Sequence, residues 1–262
     1  MKAFVAKAGC VALVLMAGCC SRPVADTKQP EARRQRAAIE ARAALIFTNA
    51  VLLKPSETIP ATNLAFTLAP LLIQEVAGSG PDSNCGPATI YYQLGAVQIA
   101  GVARPQMTYL WSCGNENRLG RGVRLTLDER GLPVIWEVLD DRPGAQIVFV
   151  ARSLADKAQA AYGSVAAGRR FAVEPELAMA PDVVVARVIE DGPVAMGPIV
   201  HLTASRGEIS MVICRCMPTQ ARQLMATAYY ELNPLTAVTN VNLEFLGTNS
   251  NLVEQLRLPP AW

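Results

Sequence analysis

Apolar and polar residues alternate in a way that predicts a strand followed by a helix within residues 207–232. Ile209, Met211 and Ile213 recur at every second position, which is the period of a strand. Pro218 interrupts this pattern, and apolar residues then return at the spacing of one helix face. The predicted helix runs to Leu232, and its apolar stripe consists of Ala221, Leu224, Met225 and Ala228.

Other stretches predict further strands. The clearest hairpin joins residues 123–127 and 134–139 through the turn sequence at residues 128–131. A helix is expected from Leu154 to Tyr162, with Ser153 as its N-cap, and a helical turn at residues 175–180. The remaining predicted strands are residues 65–76, 89–99, 107–111, 147–151, 183–189 and 198–203.

These elements predict an α+β fold with a largely antiparallel sheet and a few helices, since strands dominate and helices do not alternate with them. Residues 61–262 are expected to form this single domain. Residues 19–60 are expected to be a tether followed by a helix, because residues 21–30 are polar and strong helix formers begin at Glu31. That helix is interpreted as a stalk or surface helix, with partner binding as the alternative.

The first eighteen residues have the features of an export signal. Lys2 and Lys7 precede a short apolar run that ends in small residues. Residues 15–19, Leu-Met-Ala-Gly-Cys, resemble the lipobox of bacterial lipoproteins. The resemblance implies that residues 1–18 are removed and that Cys19 becomes a lipid-modified (palmitate-bearing) N-terminus. The alternative is an ordinary secretory signal that is cut nearby.

Composition and charge narrow the class of protein. The chain is 51% hydrophobic and 18% charged, which supplies a core and argues against a disordered chain. Removing residues 1–18 removes two lysines and no acidic residue, so 22 basic and 22 acidic side chains remain. We therefore expect no nucleic-acid partner, because no basic stripe with interleaved aromatic residues is present.

Four cysteines are the candidate chemistry of the mature chain: Cys85, Cys113, Cys214 and Cys216. In an oxidising compartment they are expected to form disulfides, although spacing does not choose the pairing. The alternatives are a reactive-thiol or soft-metal site on Cys214 and Cys216, close to a predicted helix N-terminus, or inert buried thiols.

His201 is the single histidine, and its apolar surroundings predict a hydrogen-bonded strand residue. Residues 84–88, Asn-Cys-Gly-Pro-Ala, resemble the nucleophile segment of C39-type cysteine peptidases. That resemblance implies Cys85 as a nucleophile activated by His201. It covers five residues and one histidine.

The function expected from these patterns is a non-enzymatic binding or structural module in the cell envelope, with no catalytic residues and no cofactor. The partners expected are a bacterial membrane, through lipid on Cys19, and a protein of the envelope, on the periplasmic or exterior side. The alternative function is a thiol-dependent or soft-metal-binding protein that uses Cys214 and Cys216.

Overall fold

A computed structural model describes the sheet and its immediate connections. It covers residues 50–56, 63–76, 87–112, 119–140, 146–162, 183–192, 194–204, 209–213 and 226–238, together with Leu256, Leu258 and Trp262. Within these ranges no helix has the length and apolar character needed to cross a membrane. Residues 19–49 of the expected tether and stalk helix, and the helical turn expected at residues 175–180, lie outside the described residues, whereas residues 50–56 of the expected tether segment are described.

Eleven strands, two α-helices and one 3₁₀-helix make up the described residues. The helices are α1 (Leu64–Thr67), α2 (Arg152–Tyr162) and the 3₁₀-helix Leu235–Ala237. The strands are β1 (Ala50–Pro55), β2 (Leu71–Glu75), β3 (Thr89–Ile99), β4 (Val102–Trp111), β5 (Arg121–Leu127), β6 (Pro133–Asp140), β7 (Gln146–Ala151), β8 (Val183–Ile189), β9 (Ile199–Leu202), β10 (Ile209–Ile213) and β11 (Ala226–Pro234).

All eleven strands belong to one sheet, in the order β10-β9-β2-β1-β11-β3-β4-β5-β6-β7-β8. Six of its neighbouring pairs are antiparallel and four are parallel. The sheet curls into a half-barrel. Consecutive strands β3 to β7 form an antiparallel meander, whereas the other half interleaves strands from both ends of the described chain.

The prediction of an α+β fold with a largely antiparallel sheet is wrong. The protein is mostly sheet, and that sheet is mixed. Three of the four parallel pairings involve β1, β2 or β11. The sequence predicted β1 as part of the tether region and β11 as a helix, so the two parallel pairings of β11 could not be anticipated.

The helix predicted to reach Leu232 is instead a strand from Ala226 onwards. β11 pairs with two parallel neighbours in succession: residues 226–230 pair with β1, where Ala228 lies opposite Leu53, and residues 231–234 pair with β3, where Leu232 lies opposite Ile90. Thr227, Tyr229 and Tyr230 of this segment are residue types that favour strands. Pairing along the whole length of β11 outweighs the weak helical stripe.

The β5–β6 hairpin is confirmed where it was predicted. Asp128 closes its turn: its Oδ1 accepts hydrogen bonds from the backbone N–H of Arg130 at 2.9 Å and of Leu132 at 2.8 Å. Gly131 adopts a positive φ of 77°, which a glycine tolerates without steric cost. Local turn chemistry therefore fixes this register.

Helix α1 packs on one face of the sheet, which we call the α1 face. The buried hydroxyl of Tyr109 on β4 donates to the carbonyl of Ala65 at 2.7 Å, and that of Tyr230 on β11 donates to the carbonyl of Pro70 at 2.7 Å. Burial raises the pKa of the Tyr109 phenol well above its usual range, so it keeps the proton that it donates. These bonds fix α1 across the middle of the sheet.

The opposite face of the meander contains a buried ion pair. Arg124 on β5 lies directly across from Glu137 on β6. Its Nε and Nη2 donate to the two carboxylate oxygens of Glu137 at 2.8 and 2.7 Å, and Gln146 Nε2 donates to Oε1 at 2.6 Å. The side chain of Glu137 is fully buried. Such a pair stabilises only while both partners are present.

Candidate functional site

The cysteines singled out by sequence lie outside the described residues. This holds for Cys19, the predicted lipidation site, and for Cys85, Cys113, Cys214 and Cys216. Lipidation, disulfides and the soft-metal site therefore stay predictions. Within the described ranges, no group of three or more His, Cys, Asp or Glu residues is placed to hold a metal ion.

His201 lies on β9, between Ile73 of β2 and Met211 of β10. Burial lowers its pKa to about 4, so the imidazole is neutral at pH 7.

Three strands separate β9 from β3, the strand that follows Cys85 along the chain. The residues after Ala88 form a strand, whereas the peptidase family opens a helix at this motif. The described residues do not place Cys85 beside His201, and the peptidase resemblance stays a prediction.

The lowered pKa of His201 predicts acid sensitivity. Unfolded chains bind a proton at a pKa near 6.5 and the folded protein only near 4, so the free energy of unfolding should fall as pH drops from 6.5 to 4. The upper limit of this loss is about 3 kcal/mol. Urea unfolding of wild type and His201→Gln at pH 7.5 and 4.5 measures it. Equal pH dependence in both proteins would contradict the assignment to His201.

The feature that stands out from the sheet is a two-stranded extension, residues 93–105, which we call the arm. β11 pairs with β3 only as far as Tyr92, and β5 pairs with β4 only from Gln106 onwards. Beyond those points β3 and β4 pair only with each other, from Ala96 opposite Pro105 to Ile99 opposite Val102. Among the described residues, no strand flanks the arm on either side.

The arm closes with a two-residue turn. Ala100 and Gly101 both have positive φ, 50° and 80°, which is the pattern of a type I′ hairpin turn. The flanking residues Ile99 and Val102 are paired. In such a hairpin these two residues exchange backbone hydrogen bonds, and the pairs alternate from there.

That alternation leaves one edge of the arm open, with no partner strand in the part of the chain that the structure describes. The N–H and C=O groups of Leu94, Ala96 and Gln98 point away from β4, on the side that β11 has already left. Natural proteins usually protect such an edge with charge, proline or a bulge. Residues 93–99 contain neither a charged residue nor a proline.

The other edge of the arm is blocked. Pro105 lies opposite Ala96, at a position whose nitrogen faces the β5 side. Proline has no N–H to donate, so this edge offers a poor template for another strand. Pro105 is tolerated because β5 begins its pairing one residue later, at Gln106. The turn itself is at Ala100–Gly101, and Pro105 lies within β4.

The two faces of the arm differ sharply. Its α1 face is exposed and uncharged, and Leu94 leaves 61% of its surface in solvent there. The remaining exposed residues of this face are Ala96, Gln98, Ala103 and Pro105. On its opposite face Val97 and Ile99 are buried in the main hydrophobic core, whereas Gly95 and Val102 are exposed.

Arg104 holds the buried face of the arm to the body. The centre of its guanidinium lies 4.6 Å from the centroid of the Trp262 ring, a cation–π contact. Its Nη1 is 3.3 Å from Glu129 Oε1, an exposed carboxylate on the β5–β6 turn. Arg104 is the only charged residue of the arm and is itself buried, so the open edge and the exposed face carry no charge.

Sequence reasoning predicted the β3 strand but missed its role. The available signal was an uncharged run from Gln93 to Gly101 with a glycine in mid-strand, at Gly95. Whether a further strand pairs with the arm depends on where β11 and β5 end. The arm's own sequence gives no information about those ends.

Comparison of the chain with protein-family models, with curated proteins and with solved structures found no match in any of the three.

Proposed function

We propose that this chain is a non-enzymatic binding protein of the cell envelope, held at a bacterial membrane by lipid on Cys19. Its binding element is the arm, and its partner is a protein that supplies a strand to the open edge of β3. The lipid attachment rests on the lipobox resemblance of residues 15–19. Binding rests on the arm.

The observation that carries the proposal is the unprotected edge of β3. Leu94, Ala96 and Gln98 each direct one N–H and one C=O outwards, and their side chains stand on an exposed, uncharged face. Addition of a strand to such an edge is a recurring mode of protein recognition, in which the backbone supplies affinity and alternate side chains supply specificity.

The arm is also preorganised for binding. Val97 and Ile99 are in the core, and Arg104 is fixed by Trp262 and Glu129. A binding strand that is already held in its extended conformation loses little conformational entropy when a partner adds to it. This rigidity separates the arm from an ordinary surface hairpin.

Site-specific photo-crosslinking in intact cells tests the proposal. A photoreactive amino acid at Leu94 of the full-length chain should give discrete protein adducts on illumination. The matched control carries it at Val194, which is exposed to a similar degree, 57%, but lies outside the sheet. The same cells test the attachment: Cys19→Ser should release the chain from the membrane fraction, and Cys20→Ser should not.

Two results would overturn the proposal. An absence of adducts at Leu94, or the same adducts at Val194, would show that the arm is not a binding surface. A mature chain whose N-terminal peptide carries no acyl mass on Cys19 would remove the lipid attachment.

A further inference from the structure

We infer that the strand added to the arm comes from a second copy of this chain, with the two β3 edges pairing antiparallel about a two-fold axis at Ala96. This inference rests on the proposed function and names its partner. The assembly would join two arms into a four-stranded sheet in the order β4-β3-β3-β4.

The register follows from the open groups of the edge. Residues whose N–H and C=O point outwards must face each other to exchange hydrogen bonds. A two-fold axis at Ala96 places Ala96 opposite Ala96 of the second copy, and Leu94 opposite Gln98. Each of these three pairs exchanges two backbone hydrogen bonds. The overlap begins at the first position that β11 leaves free, two residues after Tyr92.

The open edge of β3 is compatible with pairing to the same edge of a second copy. In a symmetric pair a charge at or beside the axis would lie next to its own copy, and residues 93–99 contain no charged residue. The residue on the axis is an alanine, small enough for two copies to approach. The blocked Pro105 edge leaves β3 as the side on which pairing occurs.

The pairing also accounts for the exposed face of the arm. Paired residues of an antiparallel ladder stand on the same face, so the α1 faces of both arms would merge. Leu94 of one copy would lie beside Gln98 and Ala96 of the other, which covers much of a leucine that is 61% exposed in the single chain. Attachment of both copies to one membrane would raise their effective concentration.

A charge swap at the axis tests the inference. Two differently tagged full-length chains should co-purify from detergent-solubilised membranes. Ala96→Lys in both should lower co-purification by about tenfold or more, because two ammonium groups would face each other. Combining an Ala96→Lys chain with an Ala96→Glu chain should restore it. Ala103→Lys, exposed on the same face but one strand away from the edge, should leave it unchanged.

A cysteine at the axis tests the register independently. Hydrogen-bonded antiparallel residues have Cα atoms about 5.5 Å apart, which suits a disulfide. Ala96→Cys should therefore yield an oxidised dimer above the background of the native cysteines. Ala103→Cys should not, because three strand spacings of about 4.8 Å would separate it from its copy.

The outcomes separate this inference from the proposed function. Failure of wild-type tags to co-purify, undiminished co-purification of Ala96→Lys with itself, or an equal loss in Ala103→Lys would overturn pairing of two copies. If the Leu94 adduct then contains a different protein, the binding function stands and the partner is foreign. If Leu94 links only to another segment of its own chain, both proposals fail. Unchanged urea unfolding of Ala96→Lys confirms that the variant is folded.

Discussion

Replacing Glu137 by alanine should destabilise the protein by about 3–5 kcal/mol, because it leaves the buried guanidinium of Arg124 without its carboxylate. Two charge-assisted hydrogen bonds, of 2.7 and 2.8 Å, are lost, and Gln146 loses its acceptor as well. Neither side chain of the pair has more than 7% of its surface in solvent, so water cannot replace the lost partner. Equilibrium urea unfolding of the purified protein measures the loss.

A double substitution distinguishes an unpaired charge from a general loss of packing. Arg124→Met together with Glu137→Leu keeps similar volume and removes both charges, and it should recover most of the stability lost in Glu137→Ala. Gln146→Ala should cost only about 1 kcal/mol, since the ion pair survives it. A Glu137→Ala protein that is less than about 1 kcal/mol destabilised would contradict burial of the pair.

Gly122→Ala should destabilise the protein by about 3 kcal/mol, as an overpacked core position does. A Cβ at position 122 would lie 2.1 Å from the carbonyl oxygen of Tyr109 and 2.8 Å from Leu110 Cδ2. The first of these is backbone in the neighbouring strand β4, so β4 and β5 would have to separate to make room.

The matched control is Gly95→Ala, a second glycine of the same sheet. A Cβ there has no atom within 4 Å, so the stability should change by less than about 0.5 kcal/mol. Thermal unfolding of both variants gives the comparison. A similar change at the two positions would mean that the cost reflects strand glycines in general and not the close approach at Gly122.

The sequence predicted the parts of this fold that depend on interactions between residues close together in the chain. The β5–β6 hairpin followed from alternation and from Asp128 and Gly131, all within a few residues of one another. β11 could not be predicted because a helical stripe leads into it, and the strands that stabilise it lie far away in the chain, at residues 51–55 and 89–92. Pairing with these distant strands outweighs the intrinsic helix propensity of the segment.

The buried ion pair and the open edge of the arm were both missed for a related reason. Arg124 and Glu137 look like the solvent side of a hairpin, since each alternates with apolar residues, but both faces of β5 and β6 are largely buried in the structure. The open edge at Leu94, Ala96 and Gln98 exists because β11 ends at Pro234, opposite Tyr92. Whether an edge is exposed depends on where the neighbouring strands end, and the arm's own residues do not determine that.

The strand order also bears on when the protein can fold as it emerges from the ribosome or an export channel. β3 to β7 are consecutive neighbours, so that meander can assemble as soon as residue 151 is available. β1 has to wait for β11, whose paired residues, Val51 and Ala226, are 175 positions apart. Closing so long a loop is slow, and until it closes β1 and β2 expose apolar edges to aggregation. Because β1 is synthesised early and its partner β11 late, half of the sheet stays incomplete until residues 226–234 are available.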